Sequence, residues 1–434
     1  MTGRAAIFLS SLAFLAMAAA MVWLFHEMSS APEVPVMIER GGMPARHAAA
    51  PQTRAVVDAG QPADAAATAQ QADLAAELAD GLARPDALPG EALLGFKSAE
   101  ALAAFRARAA QNGLEVISHD PTLLSVRLRF KDLGALREEL AAHREDITHA
   151  GPNLIARIPG LPAQPQTDTN NAGGSAPFRS QGLDLIGAPA SRAGWGKGTT
   201  VAVLDSGVLD HPALQNVSVT HLDLVNDGQP FHGHGTAMAS LIAGSDGQVG
   251  GISPGTTILD VRVADPQGNS NTALLAEGIM RAVGAGAQVI NISLGSMQSS
   301  PVLEQAVQHA LARGVVIVAA AGNEQANALS FPAGLPGVVS VGAVDATGTQ
   351  AWFSNSGRGL TLAAPGVGIV SAYADGKLVI GSGTSQAAAI VSGTAAYLLG
   401  KGYQGVNVPT VLARSARPTG APQTAVGAGI LRIP

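Results

Sequence analysis

The chain lacks cysteine altogether, so no disulfide can stabilise any part of its 434 residues. Aromatic residues make up only 4% of it and charged residues 13%, and the formal net charge is −6. Without a basic surplus, nucleic acid is not expected as a partner. Hydrophobic residues, by contrast, reach 47%. This composition predicts a large core that is independent of disulfides, leaves the redox compartment open, and allows more than one domain.

An uncharged run over residues 5–25 follows Arg4 near the N-terminus. As a helix it would span roughly 31 Å, enough to cross a bilayer. The sequence Ala16-Met17-Ala18 resembles a signal-cleavage site, but the apolar run continues beyond it. We predict a retained transmembrane anchor within residues 1–30, with a cleaved signal peptide as the alternative. Arg4 on the N-terminal side places the remainder outside the cytoplasm in either case.

Two segments are rich in residues that do not build a core. Residues 31–89 contain much Ala, Pro, Gln and Gly, which predicts a disordered linker with a transient helix over 65–79. Residues 160–180 are rich in Pro, Gln, Asn and Gly and should be exposed. Such exposed segments are preferred sites of proteolytic cleavage.

Residues 90–159 show the pattern of a small α+β domain. Ser98 and Asp132 stand where they can cap helices, and residues 124–130 alternate apolar and polar side chains, which predicts a strand with one buried face. The predicted order is strand 92–96, a helix after Ser98, strands 114–118 and 124–130, a helix after Asp132, and strand 153–158. This is the split βαβ order of ferredoxin-like domains.

Residues 181–434 alternate apolar strands with helical patterns, which predicts an α/β domain with a doubly wound parallel sheet. In such sheets the functional site lies at the carboxyl ends of the strands. Strands are predicted at 200–204, 257–263, 288–293, 315–320 and 338–344. Helices are predicted at 238–243, 272–285, 303–313 and 385–399.

Four residues in this domain carry a possible nucleophilic site. Ser385 begins a helix after a glycine turn, where free backbone N–H groups and the helix dipole favour developing negative charge. Asp205 ends a buried strand, and His234 opens a helix. A serine nucleophile needs an imidazole base, and the imidazole needs a carboxylate to orient it. Asn323 ends a second strand and adds an amide at the same sheet edge.

The order Asp205, His234, Asn323, Ser385, with its flanking residues, closely resembles the subtilisin family of serine proteases, the subtilases. The resemblance runs from about residue 182 to the C-terminus. It implies a catalytic triad of Asp205, His234 and Ser385, with Asn323 in the oxyanion hole. It also implies that residues 90–159 form a propeptide, which in this family templates folding and then occupies the active-site cleft. An unrelated small α/β domain is the alternative.

The same resemblance assigns residues to substrate binding. Ser293-Leu294-Gly295 and Gly268-Asn269-Ser270 match the two edges that pair with the substrate backbone, although the latter could be a structural strand end. Ala320-Ala321-Gly322 should line the primary pocket and leave room for a sizeable apolar residue, with no charged residue aimed there. Backbone pairing of this kind suits broad specificity.

Several positions depart from the family pattern. Gln386 stands where methionine is usual, Ala389 where proline is usual, and Ile390 where histidine is common. Ala213 replaces an aspartate that ligates calcium in many relatives, and the loop 244–251 is short for the other ligands. We therefore expect no high-affinity calcium at that position, with structural calcium elsewhere left open as the alternative. No cofactor is expected to be required, and no catalytic metal is expected.

The sequence thus predicts an extracytoplasmic serine endopeptidase, periplasmic or at the cell surface, made as a self-processing proenzyme. Its expected partners are protein or peptide substrates, its own propeptide, and a membrane through residues 5–25. Two alternatives remain. One is a catalytically inactive subtilase-fold binding or scaffold protein. The other is a non-enzymatic α/β ligand-binding protein, which is disfavoured because no phosphate-type glycine loop follows the first strand.

Overall fold

The structure is a computed structural model that describes residues 73–160, 176–178, 182–246 and 248–434. The predicted anchor, most of the predicted linker and most of the segment 160–180 lie outside these residues. Within the part of the chain that is described, no helix combines the length and hydropathy that a membrane span requires. The apolar run 5–25 belongs to the residues that are not described.

An N-terminal domain has three helices and four antiparallel strands, which lie side by side in the order Leu114–Asp120, Ser125–Phe130, Ala87–Phe96, Ile147–Arg157. Its elements run in the predicted order of strand, helix, two strands, helix, strand, with one further helix in front. The elements are α1 (Asp73–Leu82), β1 (Ala87–Phe96), α2 (Ala99–Arg108), β2 (Leu114–Asp120), β3 (Ser125–Phe130), α3 (Leu133–Ala142) and β4 (Ile147–Arg157).

Local signals account for the two predicted helices of this domain. The hydroxyl of Ser98 accepts a hydrogen bond from the backbone of α2, and the Asp132 carboxylate does the same for α3. Each cap satisfies one of the free N–H groups at a helix start. Phe105 and Leu136 then pack between the helices and the sheet, fully buried.

Helix α1 lies inside the segment that the sequence assigns to a disordered linker with a transient helix over 65–79, so the assignment of disorder is wrong for residues 73–82. Its leucines, Leu74 and Leu78, are buried in the core of the N-terminal domain. A short Ala-rich helix is marginal by itself, and packing of its apolar face supplies the missing stability.

The second domain is built on seven strands that pair in parallel. The strands are β5 (Thr200–Asp205), β6 (Val219–Asp223), β7 (Thr257–Arg262), β9 (Val289–Ile292), β10 (Val316–Ala320), β11 (Val339–Val344) and β12 (Leu362–Pro365). Their order in the sheet is β12-β11-β10-β9-β5-β7-β6. The chain fills one side of β5 first and the other side afterwards, so the order reverses between β5 and β9.

Helices cover both faces of this sheet, as the alternation of strands and helices predicted. Alternate residues of β5 show the division: Val201 and Val203 pack on one face, Ala202 and Leu204 on the other. The helices are α4 (Gly182–Leu185), α5 (His234–Ala243), α6 (Thr272–Gly284), α7 (Pro301–Ala312), α8 (Thr384–Gly400), α9 (Val408–Ser415) and α10 (Gln423–Val426). Helix α8 is buried along most of its length because small residues allow it to lie close to the sheet.

Three short strands complete the described structure. Strands β13 (Ile369–Ala372) and β14 (Leu378–Gly381) form an antiparallel pair before α8. Strand β8 (Asn269–Asn271) pairs antiparallel with the end of β4. Because β4 belongs to the N-terminal domain and β8 to the second domain, this pairing extends one antiparallel sheet across both.

Candidate active site

Asp205 and His234 meet at the carboxyl edge of the parallel sheet. Asp205 is the last residue of β5 and is completely buried, while His234 is the first residue of α5. The imidazole Nδ1 lies 2.9 Å from Oδ1 and 3.0 Å from Oδ2 of the carboxylate. An ionised carboxylate can only accept hydrogen bonds, so Nδ1 carries the proton. The other ring nitrogen, Nε2, is therefore the one available as a base.

The backbone around this pair is packed too closely for side chains. A β-carbon on Gly235 would clash with the carbonyl oxygen of Gly207, and one on Gly233 would lie 2.7 Å from the backbone nitrogen of Ala374. Gly235 therefore lets the start of α5 approach the loop after β5, and Gly233 lets it approach the turn between β13 and β14.

A second histidine, His232, which the sequence did not reveal, accepts a hydrogen bond from the backbone of His234. His232 Nδ1 accepts a hydrogen bond from the backbone N–H of His234 at 3.3 Å, and its Nε2 lies 3.2 Å from the Tyr373 hydroxyl. Burial lowers the pKa of His232, and the neighbouring His234 lowers it further. A neutral His232 keeps the acceptor that this arrangement uses. The only signal in the sequence was its place two residues before His234.

Asn323 is oriented by the start of α8. Its Oδ1 accepts hydrogen bonds from the backbone N–H of Thr384 at 3.0 Å and from the Thr384 hydroxyl at 2.8 Å. Because a backbone N–H is always a donor, the amide oxygen must face α8 and Nδ2 must face the cleft. There Nδ2 donates to the carbonyl oxygen of Pro159 at 3.5 Å.

Ser385 is the second residue of α8 and is 1% exposed. Its hydroxyl donates to the carbonyl oxygen of Ser293 at 3.3 Å. Among the hydrogen bonds of the described residues, none joins this hydroxyl to His234. The sequence predicted a serine, histidine and aspartate that complete one another, and in this state the serine hydroxyl points to a different partner.

The end of β4 lies between the two predicted substrate-binding edges. On one side, Arg157 pairs with Asn269, and the Ile158 N–H donates to the carbonyl of Gly268 at 2.9 Å. On the other side, Arg157 and Gly295 exchange both backbone hydrogen bonds, at 2.8 and 2.9 Å. Residues 155–159 are therefore held as an extended strand between both edges, leading to the Pro159 carbonyl at Asn323.

The predicted pocket wall Ala320-Ala321-Gly322 is buried at the end of β10. Gly322 has a φ of +107°, a conformation that favours glycine. A β-carbon there would overlap the side chains of Ser330, Asn355 and Glu324. Glu324 and Ser330 line the cavity beside Pro159, together with the exposed Met297. The Glu324 carboxylate thus lies close to Gly322, although the sequence identified no charged residue aimed at the pocket.

The positions that depart from the family pattern lie in well-packed surroundings. Gln386 is 7% exposed beside Ser385, while Ala389 and Ile390 are buried in the core of α8. Ala213 is fully buried against Val249 and Ala372, so its methyl group supplies no oxygen ligand. The side chain at this position does not fit a calcium site of the usual oxygen-rich type.

Comparison with known protein families matches residues 196–429 to the Subtilase family. The alkaline protease of Alkalihalobacillus alcalophilus is 32% identical over 323 residues, which cover 73% of this chain and 83% of that protein. Subtilisin Savinase of Lederbergia lenta is 37% identical over 232 residues, covering 52% of this chain and 86% of the relative.

Solved structures show the same fold. Fervidolysin from Fervidobacterium pennivorans, described as a keratinolytic enzyme related to subtilisin, superposes with a TM-score of 0.68 at 24% identity. That match covers 81% of this chain and 61% of fervidolysin. The protease domain of PatA has a TM-score of 0.51 at 36% identity, covering 54% of this chain and 92% of that domain. From the family match and the alignment with the alkaline protease, the chain belongs to the subtilase family of serine endopeptidases.

Proposed function

We propose that the chain is a self-processing proenzyme whose peptide hydrolysis uses Ser385 as nucleophile. His234 acts first as general base and then as general acid, and Asp205 orients its ring. Asn323 Nδ2 and the Ser385 N–H stabilise the oxyanion. The observation that carries the proposal is the placement of β4, whose end lies in the cleft as a substrate strand would.

The hydrogen bond between Asp205 and His234 supports the assignment of the base. It leaves Nε2 free of the carboxylate, and the buried Asp205 stabilises the imidazolium that forms when Nε2 takes a proton. The Ser385 hydroxyl must leave the Ser293 carbonyl before it can donate to this base. Catalytic hydrogen bonds are often long or misaligned before the reactive complex forms.

Substrates are expected to bind as extended peptides between the edges at Gly268–Ser270 and Ser293–Gly295. Backbone hydrogen bonds of this kind form with any side-chain sequence, which suits broad specificity. Side chains contribute through the cavity beside Pro159, to which the catalytic domain supplies Gly295, Ser296, Met297, Ser330 and the carboxylate of Glu324. No cofactor enters this mechanism.

We assign residues 90–159 to a propeptide, now extended N-terminally to include α1. The alignment with the alkaline protease supports this assignment: it covers 73% of the chain, whereas residues 181–434 make up less than 60%. The shared region therefore reaches into the segment N-terminal of residue 181. A propeptide in this position blocks the cleft until it is cut from the catalytic domain and degraded.

The proposal includes an extracytoplasmic location and a membrane anchor at residues 5–25, with a cleaved signal peptide as the alternative. Both the anchor and the propeptide precede the segment 160–180, while all four catalytic residues follow it. A cut in that segment would therefore separate the catalytic domain from its covalent tie to the membrane. Maturation would also be release.

A fluorophosphonate probe, which labels only an activated serine, tests this function. The protein purified after processing should be labelled, and the Ser385→Ala variant should not. Ser415→Ala is the matched control, because Ser415 lies on α9 and its hydroxyl bonds only within that helix. Absence of labelling in the parent would favour the inactive scaffold protein instead.

A further inference from the structure

Pro159 occupies the position in the cleft where the residue before a cut bond must lie. Arg157 pairs antiparallel with Gly295, so two residues further along, Pro159 stands opposite Ser293. Its carbonyl oxygen is the group that Asn323 Nδ2 contacts, at 3.5 Å. The next residue, Gly160, is exposed. It begins the segment 160–180, whose Pro, Gln, Asn and Gly content predicts a site of proteolytic cleavage.

The antiparallel register also predicts a hydrogen bond that Pro159 cannot make. Arg157 and Gly295 exchange both of their backbone hydrogen bonds, and such pairs recur at every second residue. The pair of residues 159 and 293 is therefore of the same type, with an N–H of residue 159 donating to the Ser293 carbonyl. Proline has no N–H, so this carbonyl loses its expected donor.

The Ser385 hydroxyl takes the place of the missing donor. It donates to the Ser293 carbonyl at 3.3 Å, and a serine hydroxyl has only one proton to donate. While it makes this bond it cannot donate to His234 Nε2, which is the contact that activates it. With Pro159 in the cleft, the hydroxyl proton of the nucleophile is therefore directed at Ser293 and not at His234.

We propose that Pro159–Gly160 is the bond cut in maturation and that the missing N–H of Pro159 slows its own cleavage. This inference rests on the proposed function. In the reaction, Ser385 Oγ forms an ester bond with the Pro159 carbonyl carbon as the bond to the Gly160 nitrogen breaks. His234 takes the hydroxyl proton and passes it to the departing amine of Gly160, and water then hydrolyses the ester. The precursor would persist long enough for the propeptide to complete its role in folding the catalytic domain.

Self-cleavage of the purified full-length chain tests the inference, with disappearance of the precursor timed and the new N-terminus read by mass spectrometry. The parent should give a fragment that begins at Gly160. Pro159→Ala, which restores the N–H, should give the same fragment about 2- to 10-fold faster, the worth of one hydrogen bond in the transition state. Pro159→Gly should share the acceleration.

Pro152→Ala is the matched control, since it adds an N–H to the same strand seven residues earlier and should leave the rate unchanged. A parent fragment that begins elsewhere, or a Pro159→Ala rate equal to that of the parent, would overturn the inference. Casein hydrolysis by the processed protein distinguishes failure of this inference from failure of the proposed function. If casein is cut but residue 160 is not the new N-terminus, the inference fails and the proposed function stands. If neither the parent nor the Pro159→Ala variant cuts casein, the proposed function itself fails.

Discussion

The side-chain amide of Asn323 donates a hydrogen bond to the carbonyl oxygen of Pro159, at 3.5 Å. This contact joins a residue of the catalytic domain to the last residues of the N-terminal domain. Negative charge would develop on that carbonyl oxygen during peptide hydrolysis, so the Asn323 amide stands where it can stabilise the charge. The N-terminal domain thus presents its own chain in the manner of a substrate.

Substitution of Asn323 should reduce catalysis more than substrate binding. Asn323→Ala removes a donor that acts mainly on the oxyanion, so kcat should fall by roughly 10²–10³, the range known for the equivalent amide of subtilisin, with little change in KM. Steady-state kinetics on a peptide substrate measure both values. An unchanged kcat would show that another donor serves the oxyanion.

The contact between the two domains should depend on Asn153. Its buried Oδ1 accepts from the Ala273 N–H at 3.1 Å and from the Thr272 hydroxyl at 3.2 Å, at the start of α6. Asn153→Ala leaves these donors unpaired, at a cost on the order of 1–3 kcal/mol. In an uncleaved Ser385→Ala background, hydrogen exchange of the Ala273 amide should accelerate.

Asn112→Ala is the control for that experiment, because Asn112 donates to Glu139 within the N-terminal domain and does not reach α6. It should leave the exchange rate at Ala273 unchanged. Equal acceleration in both variants would mean that Asn153 acts through the general stability of the domain and not through the interface.

Acid should weaken the N-terminal domain through Glu91. Burial raises the pKa of Glu91, but hydrogen bonds from Arg127 and Asn153 outweigh burial, and the pKa lies below its ordinary value. A carboxyl with a lowered pKa contributes stability above its unfolded-state pKa of about 4.3, and that contribution is lost as the pH falls through the folded-state value.

Two proteins are compared, the Ser385→Ala variant and the same variant with Glu91→Gln added. The difference between their Tm values should be constant above about pH 5 and shrink below about pH 4.3. Thermal unfolding between pH 3 and 7 measures it. Glu115→Gln, at an exposed carboxylate, should change Tm little at any pH. A Glu91→Gln difference that stays constant down to pH 3 would contradict the role of the ionised carboxylate.

Gln386 should make the enzyme resistant to peroxide. A methionine beside the nucleophile is open to oxidation to a polar sulfoxide, whereas glutamine is not. Activity should survive mild peroxide, and a Gln386→Met variant should become sensitive. Rapid inactivation of the native protein would contradict this expectation, and Met297→Leu would then show whether the exposed Met297 near the cleft is the target.

The sequence predicted the parallel sheet from local patterns, whereas the pairing of Asp205 with His234 followed from the needs of a serine nucleophile and from the resemblance to subtilases. Buried strands are recognisable as apolar runs, and their carboxyl ends meet at one edge. For α1 the sequence predicted only a transient helix over 65–79, because the stability of α1 comes from packing of Leu74 and Leu78. The three-residue strand β8 is too short for any periodicity to reveal it.

Two features of the site could not be read from the sequence. The register of β4 in the cleft is set by its pairing with two separate edges, and this pairing exists only in the folded chain. The direction of the Ser385 hydroxyl depends in turn on which donor reaches the Ser293 carbonyl. Spacing along the chain specifies neither.

The most direct test of the account compares the purified parent with Ser385→Ala, each incubated as the full-length protein in membranes. The parent should yield a soluble catalytic fragment that begins between about residues 160 and 180, whereas Ser385→Ala should remain full length and membrane-associated. Intact-mass spectrometry of the soluble and membrane fractions measures this difference. The same fragment from Ser385→Ala would contradict self-processing by Ser385, and an intact, membrane-bound and active parent would contradict release.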